Sequence, residues 1–91
     1  IDTVVTARRA AERALRKAQT QLQEIEEAIA VAEERKKGLE MALSDTAVYL
    51  DPERVKKTTQ AHRETVAALE SLYRRWEDQA ILVDEYATSV N

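Results

Sequence analysis

The sequence predicts an all-α fold, two long helices forming an antiparallel coiled-coil hairpin. Three observations predict it. Apolar and small residues recur at 3–4 spacing along most of the chain, which keeps one stripe of each helix facing a partner. A polar break, residues 44–52 (Ser-Asp-Thr-Ala-Val-Tyr-Leu-Asp-Pro), interrupts that pattern near its midpoint. The composition is that of long helices, rich in Ala, Glu, Arg, Lys and Leu, with one Gly, one Pro and no Phe.

The first helix is expected over about 3–44. Its a positions are Arg8, Leu15, Leu22, Ile29, Lys36 and Leu43, and its d positions Val4, Ala11, Ala18, Ile25, Ala32 and Leu39. A tip loop follows over about 45–51. The second helix, about 52–89, carries Val55, His62, Leu69, Trp76, Val83 and Val90 at d, with Thr59, Val66, Tyr73, Ala80 and Ala87 at a. Folding back at the break pairs Leu43 with Val55 and so sets the register. Lys36 then meets His62 in a polar layer, Ile25 meets Tyr73, Leu22 meets Trp76 and Ala18 meets Ala80. The alanine layers let the helices approach closely. Trp76 and Tyr73 lie on this stripe and are read as core.

In the loop, Pro52 disfavours the α region at Asp51. Asp51 is therefore placed as the cap of the second helix, with Pro52 at its first position and Glu53 adding favourable charge. At least some of Val48, Tyr49 and Leu50 are expected to fold back over Leu43 and Val55. Gly38 falls inside the first helix, where a bend is conceivable.

Residues 1–91 are read as one hairpin domain, expected, from the start at Ile1 without Met, to be a piece of a longer protein. No apolar run is long enough to span a membrane. Zero Cys excludes disulfides and thiolate metal sites, and the expected location is cytoplasmic. One His, no Cys and no serine–base arrangement leave only carboxylates, so the domain is not read as an enzyme. Glu26, Glu27, Glu33 and Glu34 are read as solvated faces. No cofactor and no metal are expected in the domain.

The run LEMALSDTAVYLDPERV, followed after a helical spacer by LESLYRRWED, resembles the C-terminal domain of ABC-F ATPases of the Uup type. The matching elements are Leu39, Asp45, Tyr49, Asp51, Pro52, Leu69, Arg75, Trp76 and Glu77, within about residues 20–80. The resemblance implies an antiparallel coiled coil appended to a tandem ATP-binding cassette protein, one without membrane domains. It implies ATP and Mg in the parent protein, contact with the parent's ATPase domains, and an association with nucleic acid, DNA or ribosomal RNA. The chain has no GxxxxGK[ST] motif to cradle phosphates, so any ATP hydrolysis belongs to residues outside it.

The charge pattern adds its own argument. Overall the chain is −3, unlike a free-standing nucleic-acid binder. Residues 35–63, however, hold seven basic side chains and four acidic ones, which is +3. A basic tip on an acidic stem would hold phosphates in one orientation. The candidate contacts are Arg35, Lys37, Arg54, Lys56, Lys57 and Arg63. Lys37, Arg54 and Lys57 have no obvious intramolecular partner. Lys56 and Arg63 are placed to pair with Glu40 and Glu33, which would make the same cluster an ordinary solvated surface. Both readings stand at this point. Tyr49 either packs the loop or stacks on a base. A second cluster, Arg8, Arg9, Arg13, Arg16 and Lys17, faces Asp78, Asp84 and Glu85 and is read as cross-helix pairing.

The apolar run Ile81-Leu82-Val83 is wider than a two-helix seam needs, with Leu72 and Tyr86 on its edge. Leu72, Ile81, Leu82 and Tyr86 are read as an interface, for the parent's ATPase domain or for a homodimer of the isolated piece. A protein–protein docking coiled coil with no nucleic-acid role is the alternative function.

Overall fold

A computed structural model describes residues 2–91. Three helices follow one another: α1, Asp2–Ser44; α2, Thr46–Tyr49; and α3, Pro52–Val90. The described residues contain no strand, and the fold class is the all-α helical hairpin that the heptads predict. No helix among them is long and apolar enough to cross a membrane.

The break is more ordered than a loop. Asp45 adopts φ −78°, ψ 125°, and its carboxylate accepts from the Ala47 N–H at 2.9 Å. That cap starts the single turn of α2. The Leu50 N–H closes the turn on the Thr46 carbonyl, and the Asp51 N–H donates to Val48, both at 3.0 Å. Asp51 Oδ1 then accepts from the Glu53 and Arg54 N–H groups at 3.2 and 3.3 Å. This is the predicted cap, with Pro52 at the first helical position, where its missing N–H costs nothing. Of the three apolar tip residues only Val48 is buried; Tyr49 is 71% exposed and Leu50 72%. Packing of the loop by Tyr49 is therefore not what the chain does. One small branched side chain suffices, because backbone bonds and two aspartate caps hold the turn.

Helix α1 runs unbroken through Gly38. The glycine does not take a positive φ, and a Cβ built there would meet nothing within 4 Å. Neither strain nor a close approach calls for glycine, so only its entropic cost remains. Gly38→Ala should therefore raise stability by about 1 kcal/mol, read as a higher urea midpoint. A lower midpoint would show that the glycine is needed.

The chain comprises two compact units, one of Ile1–Glu27 with Arg74–Asn91 and the other Ala28–Tyr73. In the second, side-chain bonds join α1 to α3. Glu40 Oε2 lies 3.3 Å from His62 Nε2, Arg35 Nε donates to Thr65 Oγ1 at 3.3 Å, and the Tyr73 hydroxyl donates to Glu33 at 2.9 Å. Numbers fall along α1 as they rise along α3, so the segments are antiparallel. Val48, Thr65 and Leu69 are buried here. In the first unit the buried residues are Ala18 and Ile25. There the Gln79 amide donates to the Ala18 carbonyl at 3.0 Å and to Gln21 Oε1 at 3.3 Å. A side-chain amide reaches another helix's backbone only where the intervening residue is small, and Ala18, 2% exposed, supplies that.

Most seam positions are buried or half-buried. Lys36 and His62 are both half-buried, and His62 Nε2 also reaches Glu40 Oε2, one turn further along α1. Three expectations fail. Tyr73 is 45% exposed rather than core, because its hydroxyl is drawn to Glu33. That hydrogen bond, then partial desolvation, then the carboxylate's charge, raise the phenol's pKa above its ordinary value. Val4 is 71% exposed and Arg8 is exposed too. Finally, the Arg8 cluster does not pair across to α3: Arg8 Nε engages Glu12 of its own helix at 3.4 Å. An i,i+4 partner is held nearby by the helix itself.

Candidate nucleic-acid interface

The candidate cations lie in the unit Ala28–Tyr73. Lys37 sits seven residues before the end of α1, while Arg54, Lys56 and Lys57 occupy the first turns of α3. The Asp51 cap determines where α3 starts and bonds the backbone of Arg54 itself. Arg63 follows further along. All of these side chains are exposed, as is Arg35.

What separates them is whether anything else holds them. Arg35 is tied across the pair: its Nε donates to Thr65 Oγ1, and that hydroxyl donates in turn to the Ala61 carbonyl at 2.8 Å. Thr65 is only 5% exposed, so the arginine satisfies a buried oxygen while its stem covers the seam. Arg35 is thus partly structural, and the heptad pattern gave no sign of it. Thr65 lies at neither a nor d and reads as a surface residue until its partner is known.

The acids expected to pair with these cations are engaged elsewhere. Glu40 takes His62 and Glu33 takes Tyr73, so the expected Lys56–Glu40 and Arg63–Glu33 pairs do not form. Glu64 accepts from Gln60 at 3.1 Å. Among the described residues, Lys37, Arg54, Lys56, Lys57 and Arg63 have no carboxylate partner. Five exposed cations with their charge free are available to an outside anion. Lys56, Lys57 and Arg63 line one open groove along α3, together with Gln60 and the acids Glu53 and Glu64.

The described residues bring no group of three His, Cys, Asp or Glu together. Among the described residues no buried side-chain nitrogen or oxygen is left unsatisfied. Such groups are where metals and catalytic chemistry start; here the polar groups either close the fold or meet water.

The apolar candidates lie apart in character. Ile81 is 59% exposed, and Leu72, Leu82 and Tyr86 are half-buried. Leu82 and Tyr86 share a groove with Ala14, Lys17, Ala18 and Gln21 in the first unit.

The family model described as ABC transporter C-terminal domain matches residues 13–78. No curated protein and no solved structure matches the chain.

Proposed function

Since this chain belongs to the ABC transporter C-terminal domain family, an accessory and non-catalytic module of ABC proteins, we propose that it is the C-terminal hairpin of an ABC-F-type ATPase of the Uup kind. In that reading it is cytoplasmic, the parent protein binds ATP and Mg, and the hairpin contacts DNA or ribosomal RNA. The observation that carries the nucleic-acid reading is the set of five exposed cations without carboxylate partners. Three of the acids nearby, Glu40, Glu33 and Glu64, are bonded to His62, Tyr73 and Gln60 instead, which leaves Glu53 as the one carboxylate in the groove of Lys56, Lys57 and Arg63 besides Glu64. Phosphates are the anions such a cluster would hold, through charge and counterion release. The resemblance in the tip and Arg-Trp-Glu segments supports the Uup assignment.

The test is a salt titration of binding to structured RNA and to duplex DNA, with the Lys37→Glu, Arg54→Glu and Lys57→Glu triple variant beside the natural chain. Binding that weakens steeply with salt and is lost in the variant supports the reading. Binding that is absent, or indifferent to both, ends it.

A second reading rests on Ile81. A 59% exposed isoleucine next to the groove of Leu82 and Tyr86 is apolar surface that the two helices leave open, and such patches mark interfaces. It would dock on the parent's ATPase domain or pair two copies of the chain. Sedimentation velocity decides between those: a concentration-dependent dimer that Ile81→Lys abolishes supports pairing of copies, and a strict monomer removes it.

A further inference from the structure

We propose that the tip selects unpaired nucleobases, with Tyr49 and Leu50 as a stacking platform and the neighbouring cations as phosphate clamps. This rests on the nucleic-acid reading above and adds to it the class of target: single-stranded or looped segments in preference to duplex.

The turn holds an aromatic and an aliphatic side chain in water at 71% and 72% exposure. The fold gains nothing from that. Val48 alone supplies the buried contact, and the turn is closed by the Asp45 and Asp51 caps and by the backbone bonds of Leu50 and Asp51. The Tyr49 hydroxyl makes no hydrogen bond among the described residues. The backbone that carries the ring is already ordered, so binding must still fix only the ring's own two torsions. Stacking on a base costs it correspondingly little.

The surrounding charge narrows the occupant. Arg54 and Lys57 are exposed, unpaired and one turn apart, within about 8 Å of rise from the start of α3. Of the acids nearest in sequence, Asp45 and Asp51 are turned onto backbone N–H groups as caps, and a purely apolar protein surface would leave the free Arg54 and Lys57 of the following turn without a partner. A nucleotide supplies both halves, an apolar base face and an anionic phosphate. Only unpaired bases offer that face, because a duplex stacks its bases on one another and presents edges and phosphates. Stacking tolerates any base, so the expected selectivity is for strand state and not for sequence.

The experiment uses this chain with two probes of equal length, a uridine homopolymer and an RNA duplex, read by fluorescence anisotropy. The natural chain should bind the homopolymer more tightly. Tyr49→Ala should weaken that binding by about 5- to 100-fold and leave duplex binding unchanged. Tyr49→Trp should keep or strengthen it. Circular dichroism melts confirm that the variants remain folded. Equal binding of both probes, with Tyr49→Ala altering neither while the triple charge reversal abolishes both, would overturn the platform and leave the nucleic-acid reading standing. Binding of neither probe by the natural chain would end that reading and the platform with it.

Discussion

Leu69→Ala is expected to lower stability by about 2–4 kcal/mol. The reason is how little of this chain is buried. Ala18, Ile25, Val48 and Leu69 are the apolar residues in the buried class, and none of the large side chains is fully enclosed. Two helices share one seam, so each buried side chain carries a larger share of the burial than it would in a globular core. Leu69, at 5% exposed, is the largest buried apolar side chain of its unit. Truncation removes its transfer free energy and leaves a void that stiff helices close only in part. Solvent lies one helix width away, which limits that void and keeps the loss below the most severe values. Domains of this kind carry about 5–15 kcal/mol in total, so the loss is a large fraction of the whole. Urea denaturation followed by helical circular dichroism should show a lower midpoint with an unchanged slope. Val31→Ala, at a site 71% exposed, is the control and should move stability by no more than about 0.5 kcal/mol. Matching midpoints for the two variants would contradict the assigned seam.

The triple reversal Lys37→Glu, Arg54→Glu and Lys57→Glu should have the largest effect on binding. Each phosphate neutralised contributes about 0.7 to 0.9 to the slope of log affinity against log salt. Losing three such contacts lowers the slope's magnitude by about 2 to 3. The new carboxylates also repel phosphate, and at low salt the combined loss should reach about 100-fold or more. The fold should tolerate the change, since all three residues are exposed and engage no carboxylate. Arg35→Ala makes an informative comparison. Its guanidinium already serves Thr65, so its removal should affect stability more than the salt slope. An unchanged slope in the triple variant would remove these residues from any phosphate contact.

The hairpin was legible because helix periodicity is local and redundant. A stripe repeated over many turns survives the loss of any one position, and here Val4, Arg8 and Tyr73 do leave it without consequence for the rest. The Asp51–Pro52 start of α3 was equally legible, because a cap and a proline act on adjacent backbone atoms. The helical turn at Thr46–Tyr49 was missed. Asp45 is its signal, an Asx cap two residues before its backbone partner Ala47, but four residues are too few for periodicity to register. The side-chain pairing was the least legible part. Glu40 had Lys56 and His62 within reach, and Glu33 had Arg63 and Tyr73. Sequence spacing ranks such choices only to within a turn, while hydrogen-bond geometry discriminates over fractions of an ångström.

By itself, then, the sequence determined the all-α class, the point of reversal, the seam and the concentration of cations between residues 35 and 63. These follow from backbone rules and from the period of burial, which act along the chain. Only the tertiary structure decided that Arg35 is bound to Thr65, that Glu40 and Glu33 are taken by His62 and Tyr73, and that Val48 is buried while Tyr49 and Leu50 face water. Those outcomes are competitions among partners brought together by folding, and short-range geometry settles each of them after the chain has turned back.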